Sequence, residues 1–437
     1  MAGLQDYKCP CCGGAIEFNS SVQKMKCPFC DSEFDLDTLA SYDEEVKDDA
    51  NSQMDWDSSG TQEWTDGESD GTKLFICESC GGQIMADANT AASSCPYCDN
   101  PIVVRGTVAG GLKPDCIIPF KLDKDAAKNK FKEHLKGKKF LPSVFKSENH
   151  IDDIKGVYVP YWLFDSKADA KMRYRAEKKR RWEDKNFEYT ETSYYACIRE
   201  GDISFEHVPV DGSTKMPDDL MESLEPYDYK EAKSFQMAYL AGYVADKYDQ
   251  DAEASVPRAN ERIENSTERA FRETVKGYSN VTKEGGNIRL KDGKTSYAMY
   301  PVWLLNTTWR NEKFVFAMNG QTGKFVGNLP IDKNAAYKSL FIGSVVSIAI
   351  VFIIQMLMNA MGMLDNEMSV RVVSSIVIGF IIGLIKNMID KSSLKSVAPN
   401  NEARNYMVPG SMHVTKSNDM FLYKRTESRK KPEPQKK

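Results

Sequence analysis

The stretch from Ser339 to Leu364 constrains this chain most, because between Lys338 and Asp365 lie 26 residues without one charge. A helix rising 1.5 Å per residue needs about 20 such residues to cross a hydrocarbon core about 30 Å thick. A buried helix of a soluble core rarely stays apolar on every face for that length, so the run reads as a membrane span. A second run, Val372 to Ile385, is 14 residues long between Arg371 and Lys386. With those two cations snorkelling outward, it is expected to return across a locally thinned bilayer. Gly379 and Gly383 form a small-xxx-small pair, expected opposite Gly343 and Ser347 on the first helix. Residues 337–389 therefore read as a two-helix transmembrane hairpin.

Charge sets its orientation. Asp365, Glu367 and Arg371 lie in the connection, whereas Lys324, Lys333 and Lys338 precede the hairpin and Lys386, Lys391 and Lys395 follow it. The positive-inside rule places both termini in the cytoplasm, at the cell membrane. Residues 1–20 show no apolar signal-peptide core.

Eleven cysteines in a chain expected in a reducing compartment are metal ligands rather than disulfides. Eight of them fall in a duplication. Cys9-Pro-Cys11-Cys12-Gly13-Gly14 and Cys27-Pro28-Phe29-Cys30-Asp31 return as Cys77-Glu-Ser-Cys80-Gly81-Gly82 and Cys95-Pro96-Tyr97-Cys98-Asp99, every ligand offset by 68. Two residues between thiolates let one tight turn bite a tetrahedral zinc at about 2.3 Å from each sulfur. The following glycine permits a positive φ, so backbone N–H groups can point at sulfur. Two structural Zn²⁺ sites follow, one at Cys9, Cys12, Cys27 and Cys30 and one at Cys77, Cys80, Cys95 and Cys98. Cys11, Cys116 and Cys197 are expected to be free thiols. Four thiolates leave no open position on zinc for a catalytic water.

The order along the chain is ribbon 1 (1–40), an acidic disordered linker (41–72), ribbon 2 (73–106), an α+β body (107–333), the hairpin, and a basic tail (390–437). The linker holds 11 acidic residues, one lysine, and both Trp56 and Trp64. In the body, Ile117 to Phe120 reads as a strand, followed by a helix capped at Asp123 with Ala127, Phe131 and Leu135 on one face. Gly156 to Asp165 and Met299 to Asn306 share a proline with an aromatic two residues on, which suggests paired edge strands of two related meanders. Strands are expected at Ala168–Glu177, Phe187–Ile198 and Ile203–Val210, then at Phe314–Met318 and Lys324–Val326 about an Asn319–Gly323 turn. Helices are expected over Tyr229–Tyr248 and from Ser255-Pro257 to about Val275. A short strand pair is expected near Met412–Val414 and Met420–Tyr423. The fold class is thus multi-domain α+β.

No H-E-x-x-H, G-x-S-x-G or phosphate loop occurs, and His134, His150, His207 and His413 are scattered, so the sequence offers no positive ground for an enzyme. Net charge runs −14 over residues 1–107, near zero over 108–332 and +8 over 333–437. An acidic ribbon end disfavours nucleic acid, and a basic end suits anionic lipid headgroups. Lys178-Lys-Arg-Arg181 is the body's one dense basic cluster, expected to face the linker or the lipid surface.

The paired ribbons, Ile117-Ile-Pro-Phe120, Gly156-Val-Tyr-Val-Pro-Tyr-Trp162, Ala317-Met-Asn-Gly-Gln-Thr-Gly-Lys324 and the two-helix anchor resemble a family of membrane-anchored zinc-ribbon proteins of Gram-positive bacteria. Some members of that family look like companions of the phage-shock-protein-A envelope-stress system and tether partner proteins to the membrane. The resemblance implies a cytoplasm-facing adaptor with lipid and protein partners. The alternative is a ribbon regulator that binds nucleic acid, after the transcription-factor and helicase ribbons whose labels some members carry.

Overall fold

Four long strands organise the body, and they run on through positions where turn-forming residues suggested breaks. The structure is a computed structural model describing residues 8–11, 13–36, 39, 56–57, 61–65, 72–87, 94–106, 112–142, 145, 154–310, 312–363 and 367–431. In ribbon 1, β1 (Glu17–Asn19), β2 (Lys24–Lys26) and β3 (Glu33–Phe34) form an antiparallel sheet. Next come β4 (Gln62–Glu63), then β5 (Thr72–Ile76), β6 (Gln83–Asp87) and β7 (Val103–Gly106) of ribbon 2. β8 (Leu112–Lys113) and β9 (Cys116–Ile117) lead to α1 (Lys124–Leu135). Asp123 caps α1, accepting from Ala126 N at 2.8 Å, and Gly137 ends it at φ +78°.

β10 (Lys155–Glu183) and β11 (Phe187–Asp211) form a long hairpin, followed by α2 (Asp218–Ser223), β12 (Lys233–Ser234) and β13 (Val244–Asp246). Then come α3 (Ala252–Glu273), β14 (Asn280–Trp309), β15 (Glu312–Asn319) and β16 (Phe325–Gly327). The apolar helices α4 (Lys333–Ala360) and α5 (Met368–Ser392) precede β17 (His413–Lys430). This is the α+β architecture expected, with N-terminal cysteine clusters, a β-rich body and two C-terminal apolar helices.

β14, β10, β11 and β17 lie side by side as an antiparallel blade. One face carries Ala168, Ala170, Met172, Tyr174 and Ala176 at alternate positions, packed with Ile263 and Phe271 of α3. The two proline-aromatic copies do pair, Tyr158 opposite Pro301 and Pro160 opposite Met299, but in the interior of the sheet rather than at its edge. The expected breaks in β10 and β11 are bulges at Phe164/Ser166 and, against β17, at Glu200/Gly201. Gly201 serves a close approach: a Cβ there would lie 1.9 Å from the His413 carbonyl oxygen. β14 likewise absorbs Asp292-Gly293 and Glu284 at register shifts, so it begins well before the expected strand. The β10–β11 tip carries Lys178 to Arg181, and Arg425 and Arg429 of β17 align beside it.

Tyr229–Tyr248 is not a helix. It is two 3-10 turns, Tyr229–Glu231 and Met237–Leu240, with β12 and β13 between and after them, because the backbone there completes pairings with β9, β10 and β6. α3 starts earlier than expected, capped by Asp251, with Pro257 inside it. The tail strand pair is one continuous strand, β17, held along β11. Composition alone suggested a solvated linker at 41–72, yet its described residues lie on the body. Trp56 meets Phe164 edge-on at 5.0 Å, Trp64 meets Phe235 at 5.9 Å, and β4 pairs with β8. Asp57 joins β14 through hydrogen bonds to Gly293 and Thr295.

α4 and α5, 28 and 25 residues, are long and apolar enough to cross a membrane. Their packing is inside out. Phe341 is 72 % exposed, whereas the shared face of α5 is Ser375, Gly379, Gly383 and Asn387. A Cβ on Gly379 would lie 2.5 Å from the Ile348 backbone, and one on Gly383 would lie 2.3 Å from Ser344 Oγ. The glycines thus face Ile348 and Ser344 rather than Gly343 and Ser347. Gln355 bonds Ser374 and Ser375 across the interface, and Asn387 Nδ2 donates to the Ala336 carbonyl at 2.8 Å. Beyond α5, a strap returns over α2 and α3: Asn400 N donates to Glu222 of α2, Ala403 N to Ser266 of α3, and Arg404 pairs with Glu273 of α3.

Candidate metal centres

Four short turns position the thiols, and all four share one geometry. In each, the first cysteine N–H donates to the carbonyl five residues on, at 2.7 Å (Cys9 to Gly14), 2.9 Å (Cys27 to Ser32), 2.9 Å (Cys77 to Gly82) and 2.8 Å (Cys95 to Asn100). The N–H of the residue four on returns to that cysteine's carbonyl, and that residue has a positive φ: Gly13 74°, Asp31 56°, Gly81 72° and Asp99 61°. The glycines were expected there. The aspartates were missed, although Asp after Cys-Pro-x-Cys is itself a signal, since a short polar side chain tolerates the left-handed region.

In ribbon 2, Cys77, Cys80, Cys95 and Cys98 converge, with Sγ–Sγ distances of 3.5 Å (Cys77–Cys98) and 3.6 Å (Cys80–Cys95). A tetrahedron with zinc–sulfur bonds near 2.3 Å requires sulfurs about 3.8 Å apart, so the donor set fits zinc. Soft thiolates also favour such a metal over hard cations. In ribbon 1, Cys9, Cys27 and Cys30 converge in the same way, Cys9 and Cys30 at 3.5 Å. Cys12, expected as the fourth ligand there, lies outside the described residues. Cys11 N and Tyr97 N each donate at 3.4 Å to the sulfur two residues before, the N–H to sulfur bonds expected.

In the ribbon 2 cluster the protons are unequally held. Burial opposes ionising Cys30 and Cys98, yet hydrogen bonds from Ser32 and from Asn100 outweigh it and bring each down to about 6. Burial pushes Cys80 and Cys95 up. Crowded thiols cannot all ionise unless a cation replaces their protons, the behaviour of a metal site. Cys116 and Cys197 lie apart from both clusters in the core, pushed up by burial to about 11 and about 12. His134 packs on Phe325, and burial lowers it to about 4.

The ribbons sit differently on the body. In ribbon 2, β6 continues the body sheet by pairing with β13, and Lys155 Nζ reaches Ser94, the Cys95 carbonyl and Asp99. Ribbon 1 rests on the blade face away from α3, with Phe34 and Leu39 against Ala196 and Leu422.

Thiolate clusters that fit zinc, a β-rich body and an outward-apolar helical hairpin fit a membrane-anchored zinc-binding protein. The chain is 31 % identical over 327 residues to the uncharacterized protein YdjG of Bacillus subtilis (strain 168), an alignment spanning 75 % of this chain and 90 % of that protein. It belongs to the YdjG family. No family model matches the sequence, and no solved structure matches it.

Proposed function

We propose that the chain is a non-enzymatic adaptor, anchored in the cell membrane by α4 and α5 with both termini in the cytoplasm, that holds partner proteins at the membrane through zinc-stabilised ribbons. The inside-out hairpin carries this reading: apolar side chains point outward while Gln355, Ser375 and Asn387 pair across the helix interface. Two Zn²⁺ per chain complete the ribbons, Cys12 serving as the fourth ligand of the first. Partners resembling the envelope-stress proteins of the phage-shock system are the first to try.

An impermeant thiol reagent applied to intact cells should label a cysteine at Glu367 and miss one at Ser417. The reverse pattern would refute the orientation. Chain purified from detergent-solubilised membranes should carry its partner with it, and chain lacking residues 1–107 should lose it. A second reading, binding to nucleic acid, draws only on the basic blade tip with Trp182 exposed beside Arg180. It requires a gel shift by the detergent-solubilised chain that weakens steeply with salt.

A further inference from the structure

The duplicated ribbons expose the same edge to different fates. In ribbon 2 the Cys-Pro-Tyr-Cys-Asp knuckle is held by the body. Pro96 is buried, its carbonyl accepting from Asn306 Nδ2 at 2.6 Å, and Lys155 Nζ meets Asp99 at 2.6 Å. Tyr97 packs against two core clusters, with its hydroxyl enclosed. Shifted by 68, the ribbon 1 knuckle is bare: Pro28 and Cys30 are exposed, Phe29 is 74 % exposed, and the Asp31 side chain is 84 % exposed although it reaches Lys26 at 3.4 Å. The Phe29 ring lies over Gly14, where a Cβ would come within 2.5 Å, as the Tyr97 ring lies over Gly82 at 3.5 Å. One face of the ring thus lies on the Gly14 backbone and the rest is open to solvent. Ribbon 1 meets its own blade through another face, Phe34 and Leu39.

We propose that the Pro28–Asp31 knuckle of ribbon 1 is a docking site for a partner protein. Ribbon 2 shows the chemistry the partner must supply: an apolar pocket for Phe29, a lysine or arginine for Asp31, and a side-chain N–H donor for the Pro28 carbonyl. The proposal rests on the adaptor reading and names its contact surface. A second copy of this chain is a poor occupant. Its matching pocket is already filled by its own Tyr97, whose ring packs in two core clusters and whose hydroxyl faces Asp246.

The test places a photo-cross-linking residue at Phe29 in the full chain in its native membranes, and identifies the adduct and the cross-linked peptide. One protein other than this chain is expected. Phe29→Ser, with two zinc ions per chain retained, should weaken binding of that purified protein by about 30-fold or more, the loss typical of a central aromatic contact. Asp31→Lys should weaken it too, and exchanging the partner's cross-linked cation for glutamate should restore binding. Partner binding unchanged in both variants overturns the site while leaving the adaptor reading intact. Adducts only to a second copy also overturn it. A wild-type chain that binds no protein overturns both.

Discussion

Ribbon 2 and ribbon 1 share ligand spacing and knuckle geometry, yet one is a structural part of the body and the other rests on it. Ribbon 2 lends β6 to the body sheet and takes Lys155, Asn306 and Asp246 from the body in return. Ribbon 1 keeps its own three-stranded sheet and touches the blade through a small apolar contact. The duplicated cysteine pattern is thus retained in both ribbons, while the body encloses one knuckle and leaves the other exposed.

Metal loss should break this comparison most sharply. Structural zinc contributes about 10–16 kcal/mol of apparent folding free energy in small ribbons. Cys95→Ser should carry that loss through β6 and β13 into the body, lowering the main thermal transition of the detergent-solubilised chain by about 10 °C or more. Cys27→Ser should halve the zinc content and leave that transition within a few degrees. Equal effects would refute the difference in integration.

A smaller contrast lies in pH dependence. Asp246, on the strand that pairs with ribbon 2, is 1 % exposed, and burial raises it to about 7. Its folded form holds a proton that the unfolded chain releases near pH 4. Stability is thus full below about pH 4 and falls as pH rises through about 7, by up to about 4 kcal/mol. Asp246→Asn should flatten this slope between pH 5 and 8, measured as the difference from wild type in denaturant unfolding. An unchanged slope would rule out Asp246 as its source. Ribbon 1 has no such group beneath it among the described residues.

The smallest effect expected is from Lys155→Met, which removes three contacts to ribbon 2 and should cost about 1–3 kcal/mol. Zinc should leave ribbon 2 faster under chelator while ribbon 1 releases it at the wild-type rate. Loss of zinc from both ribbons at equal rates would show that Lys155 does not distinguish them.

Legibility in the sequence followed the range of the interactions. The ligand pattern is local, since two residues between cysteines and one residue of positive φ suffice to build a knuckle. The hairpin was legible because solvent, not packing, dictates 26 uncharged residues in a row. The long strands were not, because Gly201 and Asp292-Gly293 carry turn signals that distant strands turned into bulges. Tyr229–Tyr248 failed for a related reason: sheet edges far along the chain claimed its backbone hydrogen bonds.

What the sequence by itself determined, then, is what backbone geometry, thiolate chemistry and hydrocarbon solubility decide within a few tens of residues: two pairs of cysteine knuckles that fit a metal and an apolar hairpin. Only the tertiary structure decided that Trp56 and Trp64 lie on the body, that β17 completes the blade, and that Tyr97 is covered while Phe29 is bare. The two knuckles differ by little in sequence. Their fates depend on Lys155 and Asn306, which reach one of them through contacts that no local pattern encodes.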